Sequence, residues 1–145
     1  EALSRAGASG LMQLMPATAR WVAKQIPVAS YRPALLAQPE VNVAMGTYYF
    51  HRVLVDVGDP VLATAGYNAG PGRAKRWRDA KPLEGAIYAE TIPFNETRDY
   101  VKKVMVNAWF YTHRLTGRLA SLHRLMGTVP GRGPGEAANS VAAIP

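Results

Sequence analysis

The chain has 145 residues, a formal net charge of +7 and an apolar fraction of 48%. That length suits one domain with a real core, and 19% charged residues is too few for a solvated, disordered chain. There is no cysteine, which excludes disulfides, cysteine-ligated zinc and a thiol nucleophile.

In chain order, Pro16 suits a first helical turn, because its missing N–H would be unpaired there anyway, and the spacing predicts a short helix from Ala17 to Gln25. Residues 27–38 hold Pro27 and Pro33 without a clean period and read as loop. Pro39 opens a second helix in which Val41, Ala44, Met45, Tyr48, Tyr49 and Val53 recur on one face, and Gly58 stops it. Asp59 then caps a third helix with Pro60 in its first turn, running to about Asn68 before Gly70, Pro71 and Gly72 break it. Arg73–Asp79 and Glu84–Glu90 read as further short helices.

Asn95 is placed to cap a longer helix whose positive end suits Glu96, with Val101, Val104, Met105, Ala108, Trp109 and Thr112 on its buried face and Gly117 at its end. A last helix falls within Arg118–Met126. No stretch alternates as a strand, and no internal repeat is present. No apolar run approaches the roughly 20 residues of a membrane span, and no signal peptide is visible. The expectation is a mainly helical body over 1–126 and a flexible Gly/Pro/Ala-rich tail over 127–145.

Three polar stretches sit on glycine-flanked turns, where rigid scaffolds carry function. In Gly7–Pro16, glycines at 7 and 10 allow close backbone approach, Gln13 offers donor and acceptor, and Met12 and Met15 adapt to irregular apolar surface; a tight turn with core methionines is the plainer alternative. In Ala65–Arg73, Tyr67 and Asn68 suit a sugar, offering a flat ring to its apolar face and an amide to its hydroxyls or acetamido group; the alternative is capping of the third helix. In Ile92–Tyr100, Glu96 can meet ammonium or hydroxyl groups, or simply suit the helix dipole.

The basicity attracts polyanions: nucleic acid, acidic lipid or an anionic glycan. Arg73, Lys75, Arg76, Arg78 and Lys81 cluster around Trp77 and can meet phosphate or carboxylates, or form a solvated face. His51, His113 and His123 make no metal-binding pair, and neither a Walker motif nor a G-x-S-x-G elbow occurs.

Taken together, Ser4 with Gly7–Pro16, Asn42 and Gly46, Ala65–Gly72 and Ile92–Val101 resemble, in order and spacing, the catalytic domain of the soluble lytic transglycosylases, through about 120 residues. The resemblance implies a lysozyme-like fold, mainly α although formally in the α+β lysozyme superfamily, with short packed helices around a substrate groove. It implies cleavage of peptidoglycan between N-acetylmuramic acid and N-acetylglucosamine. One glutamic acid would protonate the glycosidic oxygen and then act as base on the sugar's own C6 hydroxyl, leaving a 1,6-anhydromuramic end. That intramolecular nucleophile removes the second carboxylate of ordinary glycosidases.

By the same resemblance Ser4, Met12, Gln13, Tyr67, Asn68, Glu96 and Tyr100 bind substrate, with Arg98 a structural candidate. No catalytic residue is expected within the chain: the acid used for glycoside cleavage would stand about six residues before Glu1, so an enzyme is implied for the whole protein and inactivity for the chain alone. No metal, cofactor or nucleic acid is implied; the partner is peptidoglycan and the compartment the bacterial envelope, at the periplasm. Two other readings remain, a non-catalytic peptidoglycan-binding module and a lysozyme-type hydrolase.

Overall fold

The computed structural model describes residues 3–26 and 31–134. The chain is mainly helical, and its described residues divide into two compact units, one up to Arg52 and one from Val53.

In the first unit the Gly7–Pro16 turn leads into α1 (Pro16–Ala23), followed by a 3₁₀ turn (Pro33–Ala37) and α2 (Pro39–Val57), whose last residues belong to the second unit. Pro16 and Pro39 open their helices as the sequence implies. Ala8, Leu14, Ala19, Val22, Leu36, Met45 and Tyr49 are buried. Trp21 meets Tyr49 edge-on at 6.4 Å, and burial pushes the Tyr49 phenol up to about 12. The expected face of α2 holds at Met45, Tyr49 and Val53 but not at Ala44, which is exposed. Asn42 is fully buried instead, because its amide has work to do in the preceding loop. Of the loop expected over 27–38, residues 27–30 lie outside the described residues, and 33–37 form the 3₁₀ turn.

The second unit begins where Gly58, at φ +72°, ends α2. Asp59 accepts from the Leu62 N–H at 2.8 Å and so caps α3 (Pro60–Ala69), as expected. Then follow α4 (Pro71–Arg76), β1 (Leu83–Glu84), α5 (Gly85–Thr91), α6 (Asn95–Thr116), α7 (Leu122–Met126) and β2 (Thr128–Val129). Their core joins Val61, Leu62 and Ala65 of α3 to Ala74, Tyr88, Ala89 and Ile92, and to Val101 and Met105 of α6. The buried Tyr88 hydroxyl donates to the Ala74 carbonyl at 3.1 Å, tying α5 to α4.

Expectations for α6 and for the strands need correction. Asn95 is not the cap of α6: Phe94 holds that position without a side-chain bond, and the Asn95 carboxamide accepts from Arg98 Nη2 at 3.0 Å. The buried face of α6 stops at Met105, since Ala108 and Thr112 are exposed and Trp109 is half-covered where its indole N–H donates to the Ala120 carbonyl. Strands do occur: β1 and β2 pair antiparallel, Leu83 with Val129 and Glu84 with Thr128.

That pairing brings chain beyond residue 126 onto the body. Val129 is buried in the core, the Arg132 N–H donates to the Asp79 carbonyl at 2.8 Å, and Arg78 Nη1 donates to the Gly131 carbonyl at 3.2 Å. The flexible tail expected from Gly127 therefore does not begin there, and residues 135–145 lie outside the described residues. No helix among the described residues is long and apolar enough to cross a membrane.

Candidate active site

The Gly7–Pro16 turn is built around Asn42. Its Oδ1 accepts from the Met12 N–H at 2.7 Å, and its Nδ2 donates to the carbonyls of Ser9 at 2.9 Å and Leu36 at 3.1 Å. One buried amide thus ties α2 to two stretches of irregular backbone that lack a ladder of their own. Gly10 has φ +77°, and a Cβ there would collide with the Asn42 amide. At Gly46 a Cβ would collide with the Met12 side chain. These two glycines serve the chain's own packing.

Within this frame Ser4 Oγ accepts from the Ala8 N–H at 2.9 Å, closing a short turn with the Gly7 N–H on the Ser4 carbonyl. Met12 is half-buried against Gly46. Gln13 is exposed and is the one non-glycine described residue with positive φ, at 49°. Its Nε2 donates to the Gly10 carbonyl at 2.8 Å, which helps to hold the left-handed backbone. Strain of this kind costs of order 1 kcal/mol and collects where a side chain must be aimed for use. An apolar cavity of about 260 Å³ lies in the same unit, lined by residues including Leu3, Gly10, Leu11, Leu36 and Asn42. Ser4, Met12 and Gln13 are not among its walls.

In the second unit Tyr67 and Asn68 occupy the last turn of α3, both half-buried. Gly70, at φ +92°, is the C-cap, and its N–H donates to the Gly66 carbonyl. Asn68 therefore does not cap the helix. Its Oδ1 instead accepts from the Thr97 hydroxyl at 2.6 Å. Thr97 is buried in the first turn of α6, so this bond joins two of the three polar stretches singled out in the sequence. Tyr100 follows Thr97 by three positions and Glu96 by four, which gives all three neighbouring places on one side of α6. Exposure rises from buried Thr97 through half-buried Tyr100 to exposed Glu96, and burial raises the Tyr100 phenol pKa. Arg98 has a structural role: Nε donates to the Ile92 carbonyl at 3.1 Å and Nη2 to Asn95, bracing the turn into α6.

Of the basic cluster, Lys75 pairs with Asp56 at 2.8 Å, while Arg78 is buried and donates to the Lys75 and Gly131 carbonyls. Arg73 donates to the Ala69 carbonyl and lies 5.7 Å from the Phe94 ring centroid, and Trp77 meets that ring edge-on at 5.1 Å. Arg73, Lys75 and Arg78 thus brace α4, while Arg76 and Lys81 are exposed.

The described carboxyl groups include no free acid in an apolar pocket. Burial raises the pKa of Asp59, but that group is committed to capping α3. Asp56, Glu84 and Glu90 sit beside Lys75, His123 and Lys102, and Asp79 accepts from the Lys81 N–H. No described cluster of three His, Cys, Asp or Glu residues can hold a metal ion.

Residues 1–87 match the model of the transglycosylase SLT domain. The chain belongs to the SLT transglycosylase family. Residues 91–119 also match the soluble lytic transglycosylase helical domain. Similar proteins include the soluble lytic murein transglycosylase of Salmonella typhimurium, 43% identical over 114 residues, covering 76% of this chain and 18% of that protein. Among solved structures, an inactive glutamate-to-glutamine mutant of the lytic transglycosylase Slt of Pseudomonas aeruginosa superposes with a TM-score of 0.77 at 39% identity, over 85% of this chain and 20% of that one. A 70-kDa soluble lytic transglycosylase in complex with bulgecin A gives 0.74 at 35% identity, over 83% and 21%. The chain thus spans about a fifth of the length of these relatives, and its fold is the lysozyme-like one of the SLT domain.

The resemblance named all the substrate-binding candidates but passed over Thr97 as a partner and left Asn42 without a role. Asn42 carried a signal in a polar amide amid an apolar helical face; Thr97 carried none beyond its place between Glu96 and Tyr100.

Proposed function

We propose that this chain is the glycan-binding part of a peptidoglycan lytic transglycosylase that cuts the β-1,4 bond between N-acetylmuramic acid and N-acetylglucosamine without water. The observation that carries the reading is the Thr97–Asn68 bond with Glu96 and Tyr100 beside it: a held amide, an aromatic ring and a carboxylate on a family member's own motifs. Tyr67, Asn68 and Tyr100 contact the saccharide, Glu96 the glycan or its stem peptide, and Ser4, Met12 and Gln13 the residues next to the scissile bond. Peptidoglycan stem carboxylates suit the net charge of +7. Its site of action is the bacterial envelope, at the periplasm.

The acid/base is a glutamate upstream of Glu1, about as far ahead of Ser4 as the family's glutamate stands ahead of its serine. The inactive glutamate-to-glutamine relative supports a single-glutamate chemistry. Such an acid stays protonated near neutral pH when an apolar pocket raises its pKa. Protonation of the glycosidic oxygen builds oxocarbenium character at C1. The C6 hydroxyl then attacks C1, and the glutamate, now a carboxylate, accepts its proton. Holding the two sugars still is most of what the present residues contribute, because intramolecular attack depends on orientation.

The test is to digest peptidoglycan with the whole natural protein and analyse the ends by mass spectrometry. Anhydromuramic ends support the reading, and reducing muramic ends alone favour a lysozyme-type hydrolase. One other reading is a binding module without turnover. Reading the residues encoded before Glu1 separates the two: a Glu-Ser pair at the family offset excludes the binding module, and its absence excludes the enzyme.

A further inference from the structure

We infer that Thr97 is a positioning residue that locks the Asn68 carboxamide with its amino group outward, making Asn68 a dedicated donor to an N-acetyl carbonyl of the glycan. This rests on the reading of Asn68 as a glycan contact.

Threonine hydroxyls elsewhere in this chain bond within their own helix. Thr64, Thr112 and Thr116 each donate to the carbonyl four residues back, at 2.7–2.8 Å. For Thr97 that residue is Pro93, ahead of the helix, and the hydroxyl crosses to α3 instead, meeting Asn68 Oδ1 at 2.6 Å. Thr97 is only 2% exposed, so its proton has no route to water. Turning the amide over would set NH₂ against the hydroxyl and take from that proton the acceptor it has here. One orientation is therefore favoured. In it Oδ1 is spent and Nδ2 has no partner among the described residues.

The last turn of α3 does not need Asn68, because Gly70 closes it and Arg73 takes the Ala69 carbonyl. A group that only donates distinguishes ligands. It recognises a carbonyl oxygen, and gains nothing from an ammonium group at the same place on a de-N-acetylated sugar.

The experiment measures calorimetric affinity of the full chain for an N-acetylglucosamine oligosaccharide and for its de-N-acetylated counterpart. Asn68→Asp keeps the acceptor for Thr97 and removes the outward donor, so it should abolish the preference for the acetylated ligand. Thr97→Val keeps shape and removes the hydroxyl; it should weaken acetylated binding roughly fivefold and leave the other ligand unaffected. Thr97→Ser should restore affinity to within about twofold of the parent. If Asn68→Asp loses affinity and Thr97→Val does not, Asn68 remains a glycan contact and the lock is refuted. If Asn68→Asp binds as the parent does, both the contact and the lock are refuted.

Equal weakening by the Val and Ser variants, for both ligands, would mean Thr97 only packs, and would also overturn the lock. Should Thr97→Val fail to fold, the parent suffices for a second measurement: the Asn68 Nδ2 amide resonances must shift when the acetylated oligosaccharide is added. Unmoved resonances would reject the proposal.

Discussion

Asn42→Ala removes the amide that shapes the Gly7–Pro16 turn. The parent side chain is fully buried and makes three hydrogen bonds, from the Met12 N–H and to the Ser9 and Leu36 carbonyls. A net contribution of about 1 kcal/mol per bond gives about 3 kcal/mol in all. An orphaned Met12 N–H sets the upper side of that figure, and rehydration of the Ser9 carbonyl the lower. For a chain of this size 1 kcal/mol moves the midpoint by roughly 3 °C, so the variant should melt about 10 °C lower. Thermal unfolding followed by circular dichroism measures it, with denaturant midpoints as a check. A loss under about 3 °C would mean the carbonyls find water and the amide does not organise the turn.

Two further substitutions probe the second unit. Gly85→Ala places a Cβ against the Met126 backbone carbonyl, which cannot rotate away, and should destabilise by about 2 kcal/mol in urea unfolding; a neutral result would mean β1–β2 can shift freely. Asp59→Asn keeps the cap and removes a titration. The Asp59 pKa is raised in the fold above 3.8 by burial, so the folded state binds its proton more tightly. Its stabilising term is present below pH 3.8 and lost as pH rises through the raised folded pKa. The parent's melting temperature relative to the variant should therefore be higher at the acid end and fall toward neutrality; a rising difference would contradict the assignment.

The helices were legible in the sequence where their ends are chemical. Pro16, Pro39 and Asp59-Pro60 open helices, and Gly58 and Gly117 close them, because a missing N–H, a carboxylate acceptor or a positive φ acts within one turn. What depends on distant partners was not legible. β1 and β2 are two residues each and pair across more than forty positions, too short to show alternation, so chain beyond Gly127 read as a tail. The face of α6 continues its period past Met105, but periodicity cannot say where packing ends.

The candidate site shows the same division. Its residue types were visible on glycine-flanked turns. Gly10 and Gly46, however, are dictated by Asn42 and Met12, contacts made across 32 and 34 residues that no local reading contains. That Asn68 does not cap α3 was not legible until Gly70 was seen to close the helix and Thr97 to hold the amide.

The central claim is that the sugar's own C6 hydroxyl, not water, closes on C1. Digestion of peptidoglycan by the whole natural protein in ¹⁸O-labelled water tests it directly. The account predicts muramic ends that carry no label and lack the elements of water; reducing muramic ends bearing ¹⁸O at C1 would contradict it.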